Sequence, residues 1–343
     1  MLNLLAEDVR RHLALLGFHS LTEITGRTDL LLPAAKHLEY LSQRKLHLTR
    51  FLAEPCGYDG HPLMRPVEGI APLNQQILED TRESLEAHSD FAGSYPIATT
   101  DRATLATLSG AMALRTHQAR FGAPGSAYPG KLKFTFRGSA GQGFAVFLVA
   151  GIQATLFGEA NDSVAKGMSG GRVVVRPSAV ARFAPEANAI IGNCALYGAT
   201  GGTLFVHGLA GDRFAVRNSG ATAVVEGAGL HACEYMTRGT VAFLGGVSHN
   251  AGAGMTGGKF FLAREHEPFV NRNYVQGVSL DSADGLELRA LLEDYRSATD
   301  SRTATELLAH WERTLETFAK FVPVGTSSPV PAVAEQAEAS PIL

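Results

Sequence analysis

Residues 167–175 read Gly167-Met168-Ser169-Gly170-Gly171-Arg172-Val173-Val174-Val175, and this phrase recurs in altered form along the middle of the chain. Ala199-Thr200-Gly201-Gly202 precedes Leu204-Phe205-Val206, Met236-Thr237-Arg238-Gly239 precedes Val241-Ala242-Phe243, and Met255-Thr256-Gly257-Gly258 precedes Phe260-Phe261-Leu262. Ile190-Ile191 and Val224-Val225 fill the intervals, so the apolar runs are centred 15 to 19 residues apart. An internal repeat of this length is one supersecondary unit that cannot bury its apolar face alone and must stack on copies of itself. A coil of this length turns sharply several times, and glycine turns at least steric cost. That accounts for 37 glycines in 343 residues, against a usual share of roughly 7%, since they concentrate between Gly138 and Gly258.

The fold class expected from the repeat is mainly β: a single-stranded, right-handed parallel β-helix (a β-solenoid) over residues 131–265, with α-helices flanking it at both ends. Lys131-Leu132-Lys133-Phe134-Thr135-Phe136 alternates as its first half-buried strand. Residues 1–130 form a helical and extended N-terminal segment. Leu5, Val9, Leu13 and Leu16 keep helical spacing up to Gly17, and Ser20-Leu21-Thr22-Glu23 has the form of a capping box. A Pro- and Gly-rich connector covers 55–72, and helices are expected over 73–88 and 101–121. Residues 266–324 return to helix, through Leu286 to Tyr295 and then Leu307 to Phe318, with Pro323 just beyond. Residues 325–343, rich in Pro, Ser, Ala and Glu, read as a disordered tail.

Composition narrows the function. The net charge is −3, and no Lys/Arg run points to nucleic acid or an anionic membrane. Cys56, Cys194 and Cys233 lie far apart, without zinc, iron–sulfur or disulfide-framework spacing. The first eight residues meet charge too early for a signal peptide, and no run of 18 apolar residues exists, so a cytoplasmic protein is expected.

The chemical candidates each have a structural alternative. Gly138-Ser139-Ala140-Gly141-Gln142-Gly143 lacks the following helix and the acidic residue of a dinucleotide site, and reads as a corner. Glu226 and Glu234 could be offered as the carboxylate pair of a glycan-cleaving β-helix enzyme, but read more simply as corner or face residues. Asn161-Asp162, Asn193 and Asn218 recur at the repeat period as side chains that satisfy backbone groups at turns. His207, His231 and His249 sit in no metal-binding pattern, and Ser139, Cys194 and Cys233 have no assigned base. No catalytic, cofactor-binding or metal-ligating residue is assigned.

Residues 138–262 resemble the GXGXG domain that closes the glutamate synthase large subunit. The phrases that carry the resemblance include Glu159-Ala160-Asn161-Asp162, Gly167-Met168-Ser169-Gly170-Gly171, Leu196-Tyr197-Gly198-Ala199-Thr200-Gly201-Gly202, Arg213-Phe214-Ala215-Val216-Arg217-Asn218-Ser219-Gly220-Ala221 and Cys233-Glu234-Tyr235-Met236-Thr237. Leu16-Gly17-Phe18 through Gly26-Arg27-Thr28-Asp29-Leu30-Leu31 is similar to the stretch that follows the FMN synthase domain in that family. Ser163 and Ala165 stand where the family tends to have tyrosine and glycine, and Ala251 where an aromatic is usual. The resemblance implies a non-catalytic scaffold subunit or domain of a glutamate synthase-like complex. Its partners would be amidotransferase and FMN-synthase chains, with FMN and an iron–sulfur cluster in those chains and no cofactor in this one. Met1 is followed by leucine rather than a nucleophilic cysteine, and no barrel-sized segment precedes the repeat. Alternative readings are a scaffold of another amine-transferring or redox complex (N-methylglutamate synthase-like or formylmethanofuran dehydrogenase-like), a stand-alone β-helix enzyme, or a fragment of a longer polypeptide.

Overall fold

The computed structural model describes residues 2–48, 52, 70–122, 128, 130–178 and 180–325. Most of the Pro-rich connector, Cys56 and all but the first residue of the expected disordered tail lie outside the described residues. The chain divides into two compact units, Met1–Gly69 and Ile70–Leu343.

In the first unit, α1 (Leu2–Leu16), α2 (Leu21–Ile24) and α3 (Ala35–Gln43) bury a single described residue, Leu13. Gly17 ends α1 with φ +81°. The capping box ahead of α2 is incomplete: Glu23 accepts from the His19 N–H at 3.1 Å, but the Ser20 hydroxyl donates to Glu23 instead of accepting from the backbone. Leu2, Leu4, Leu5, Leu15 and Leu16 are all exposed.

The second unit runs α4 (Pro72–Asp80), α5 (Arg82–Ala87), β1 (Phe91–Ile97), α6 (Ala106–Gly122), β2 (Leu132–Ala140), β3 (Ile152–Ala160), β4 (Ser169–Arg176), β5 (Ala189–Ile191), β6 (Gly201–Ala210), β7 (Ser219–Ala228), β8 (Arg238–Phe243), β9 (Lys259–Ala263), β10 (Val275–Val278), α7 (Ser282–Thr299), α8 (Arg302–Ala309), α9 (Trp311–Thr317) and β11 (Phe318–Pro323). These strands correct the expected fold class. In place of a right-handed parallel β-helix confined to 131–265, they form one eleven-stranded mixed sheet in the order β1-β2-β3-β4-β6-β7-β8-β9-β11-β10, with β5 bonded to β3 and β6. β11 runs antiparallel to both β9 and β10. Three strands lie outside the expected range. β1 is masked in the sequence by Gly93 and Pro96. β11 continues the apolar spacing of the helix before it, so Phe318 reads there as that helix's last residue.

The flanking helices are corrected for the same reason. Each apolar triplet is buried on both faces, which makes it continuous rather than alternating. Val173 and Val175, Leu204 and Val206, and Ala223 and Val225 enter the main core, whereas the central residues turn the other way. Val174, Phe205, Val224, Ala242 and Phe261 are consecutive register partners across β4 and β6–β9, and α7–α9 cover that row through Leu288, Leu292, Tyr295, Ala304 and the partly buried Trp311. The helices therefore pack on the sheet's second face. Asp281 and Asp284 cap α7 reciprocally. Arg172 holds Asp294 through two 2.8 Å contacts, and Arg176 holds Asp300 at 2.6 Å. The expected last helix is broken at His310 into α8 and α9.

The turns between strands contribute the rest of the main core, and they repeat one backbone conformation. Alternate residues are left-handed: Ser163, Ala165 and Gly167; Cys194, Leu196 and Gly198; Arg213, Ala215 and Arg217; His231, Cys233 and Tyr235. Alternating hand sends successive N–H groups to opposite neighbours. The central N–H bonds backward (Leu196 to the Val164 carbonyl at 2.8 Å, Ala215 to Ala195 at 2.9 Å), and the outer two bond forward (Arg213 to Leu230 at 2.7 Å, Arg217 to Glu234 at 2.8 Å). Stacked turns thus satisfy their buried backbone without forming strands.

The pattern extends back to Ala103 and Leu105, which have no preceding turn to bond. Asn74 of α4 replaces it. Its Oδ1 accepts from the Leu105 N–H at 2.9 Å, and its Nδ2 donates to the carbonyls of Arg102 and Ala103 at 3.3 and 3.1 Å. Asn74→Ala should destabilise the fold by about 2 kcal/mol, because it orphans buried backbone groups. Urea denaturation checks this; a loss within the scatter of surface substitutions, about 0.5 kcal/mol, would mean the ladder needs no cap.

Candidate functional site

Three places among the described residues of the second unit hold the polar side chains weighed as chemical candidates or lying beside them. The first is a groove of about 720 Å³ along the outer shoulder of the turns, lined by Tyr197, Arg213, Arg217, Glu234, Tyr235 and neighbouring hydroxyl residues. Arg213, Arg217 and Tyr235 are exposed. Lys166 Nζ lies 5.4 Å from the centroid of the Tyr197 ring, at the edge of this surface. A chain of amides runs beside it: Asn271 Nδ2 donates to Asn250 Oδ1 at 2.6 Å, and Asn250 Nδ2 approaches His231 Nδ1 at 2.9 Å. An amide nitrogen only donates, so His231 Nδ1 accepts and the ring proton sits on Nε2. Glu234 Oε1 lies 3.7 Å from that same Nδ1.

The second place is buried beneath α7. Glu226 Oε1 lies 2.9 Å from the Tyr295 hydroxyl and accepts from the Ser301 hydroxyl at 2.6 Å. Glu226 Oε2 and His207 Nδ1 are buried without a hydrogen-bond partner. Burial holds His207 below its ordinary range, with the field of Glu226 opposing it. The third place is a cavity of about 270 Å³ beside the β4–β5 loop, where Arg137 and Arg176 flank the Phe157 ring at 4.8 and 5.5 Å and Ser139 donates to Glu159 at 2.9 Å.

The weighed residues fall apart in this geometry. Glu226 is held under α7 and Glu234 lines the groove, so the two have separate environments. The Gly138–Gly143 phrase is the end of β2 and a turn, followed by more turn rather than a helix. The period-spaced Asx residues act on backbone: Asp162 Oδ1 accepts from the Asn193 N–H and Asn193 Oδ1 from the Asp212 N–H, each at 2.8 Å. Asp212 continues this series to the Leu230 N–H at 2.8 Å, and Asn218 instead closes its own turn through Gly220 and Ala221. Arg213 and Arg217 carry no sequence signal as site residues; their left-handed backbone singles them out only in the folded turn. Cys233 is fully buried and burial pushes its thiol far up, so it does not suit a thiolate cluster ligand. Among the described residues no group of three or more His, Cys, Asp or Glu could hold a metal ion, and no helix is long and apolar enough to cross a membrane.

The alternation of left-handed residues is where glycine at every second position is physically expected. Residues 74–324 match the GXGXG motif family. The chain belongs to that family. Gly252-Ala253-Gly254 keeps the GXG spelling, whereas the GXGXG turn at 213–217 carries arginine, alanine and arginine at its left-handed positions. The GXGXG chain is 41% identical over 332 residues to the ferredoxin-dependent chloroplastic glutamate synthase of Spinacia oleracea, which takes in 93% of this chain and 20% of that protein. It is 35% identical over 339 residues to the glutamate synthase [NADPH] large chain of Bacillus subtilis, covering 97% and 22%, and 37% identical over 325 residues to the glutamate synthase [NADH] of Schizosaccharomyces pombe, covering 93% and 15%. The chain thus spans about a fifth of the length of these relatives.

Proposed function

We propose that this chain is the non-catalytic scaffold part of a glutamate synthase-type assembly in glutamate nitrogen metabolism, working in the cytoplasm. Glutamine-dependent amidotransferase and FMN oxidoreductase functions, with FMN and an iron–sulfur cluster, reside on partner chains. The observation that carries this reading is the alignment: nearly all of this chain matches glutamate synthases, yet it accounts for only about a fifth of them. The described residues of the first unit, which bury only Leu13, support it. Five exposed leucines on α1 have no counterpart within that unit's described core, as expected of a surface that another polypeptide covers.

Co-expression of the tagged full chain with the amidotransferase and FMN-synthase chains of the same cell tests the proposal. A stoichiometric complex carrying flavin absorbance, with glutamate formed from glutamine and 2-oxoglutarate, is the expected result. A lone monomer in the presence of both partners would refute it, as would glutamate formation by those partners at an unchanged rate without this chain.

A further inference from the structure

We infer that the groove at the 213–217 turn docks an acidic segment of a partner polypeptide, gripped by Arg213 and Arg217. The inference goes beyond the scaffold reading and does not depend on it.

It starts from backbone strain. Arg213 and Arg217 have φ of +60° and +55°, a region that disfavours residues with a Cβ by about 1–2 kcal/mol each. Most other turns relieve this with glycine at one outer position at least: Gly143, Gly167, Gly198 and Gly254. Here both outer positions carry long cationic side chains. The inter-turn ladder holds the backbone here, with the Arg213 and Arg217 N–H groups on the Leu230 and Glu234 carbonyls, but it does not require arginine. Nothing local accounts for the side chains: among the described residues neither guanidinium has a hydrogen bond, an ion pair or a ring contact. The arginines of β4 behave differently, since Arg172 and Arg176 are tied to Asp294 and Asp300.

The lining selects the ligand. Among its ionisable side chains apart from the two tyrosines, two guanidiniums face one carboxylate, Glu234, and Lys166 adds positive charge at the Tyr197 edge. A guanidinium presents a planar fork that fits a carboxylate in two parallel hydrogen bonds. Tyr235 lies exposed across Gly254, where a Cβ would fall 2.4 Å from its ring, so glycine is what lets the ring lie there as a flat contact surface. Arginine and tyrosine together are the residues that most often anchor protein–protein contacts. The exposure of both guanidiniums suits an extended chain that supplies several carboxylates better than a small anion that needs enclosure.

The test uses the full chain and fluorescein-labelled poly-L-glutamate, read by anisotropy. Saturable binding that weakens as salt rises is expected, and R213G/R217G should weaken it at least tenfold. Glycine suits both left-handed positions, so the double variant should melt no lower than the parent. Removing the same charge elsewhere, in R10S/R11S on α1, should leave binding unchanged. The proposal is overturned if poly-L-glutamate does not bind, if R213G/R217G binds normally, or if R10S/R11S loses as much. It is equally overturned if R213G/R217G melts lower, which would assign the arginines to holding the turn, or if inorganic phosphate displaces the polymer at equal charge concentration, which would make the site one for a small anion.

Discussion

Gly158→Ala should cost more than about 4 kcal/mol, an effect confined to a short set of severe mechanisms. Gly158 has φ +153°, and a Cβ there would lie 1.8 Å from the carbonyl oxygen of Gly138, its register partner on β2. Gly138 is in the same position one strand further on, its own Cβ falling 2.1 Å from the carbonyl oxygen of Ile97. The obstructing atoms are backbone, so no rotamer change relieves the clash. Either the β2–β3 ladder opens, or Gly158 rotates and carries the neighbouring core residue Leu156 with it. Gly198→Ala is the control. It has φ +64° but nothing within 4 Å of its Cβ, so only the left-handed penalty of about 1–2 kcal/mol applies. Urea midpoints separate the two variants. Equal losses would show that glycine serves backbone conformation alone here and that close strand approach contributes nothing.

That contrast also explains what the sequence reveals. Periodic glycines and apolar triplets announce stacked units, because local turning and local burial leave local traces. They do not reveal how the sheet is finished. The antiparallel pairing of β11 with β9 and β10 joins segments whose apolar residues read equally well as helix or strand, and β1 is interrupted by Gly93 and Pro96. The triplets are ambiguous in a specific way. Val173-Val174-Val175 shows that a strand is covered on both faces, but not that α7 supplies the second cover. Long-range polar contacts leave no trace at all. Asn74 caps Leu105 across 31 residues, and Glu226 meets Tyr295 and Ser301 across 69 and 75. The site was legible only as residue types: Arg213 and Arg217 are visible in the sequence, but their left-handed backbone and free guanidiniums are properties of the folded turn.

Tyr295→Phe should destabilise the second unit by about 2–3 kcal/mol, most of it through Glu226 rather than through the tyrosine itself. Tyr295 is fully buried on α7, its ring edge-on to Phe205 with centroids 5.5 Å apart. Phenylalanine keeps that packing and removes only the hydroxyl, which lies 2.8 Å from the Val206 carbonyl and 2.9 Å from Glu226 Oε1. Burial, then the nearby Glu226, raise the ionisation of Tyr295 well above the ordinary tyrosine range, so the hydroxyl keeps its proton wherever the fold survives. Glu226 has no spare partners. Its Oε2 is unbonded, and after the substitution Ser301 alone would face it. A buried carboxyl deprived of a partner costs more than a neutral bond lost to the Val206 carbonyl, which is worth about 1 kcal/mol. Repeating Tyr295→Phe in a Glu226→Leu background separates the two contributions: there the loss should shrink to about 1 kcal/mol, a coupling of at least that size in the double-mutant cycle. If urea unfolding at neutral pH gives the same loss in both backgrounds, the hydroxyl serves Val206 alone, and the α7 interface is held by its apolar row and by the Arg172 and Arg176 clamps.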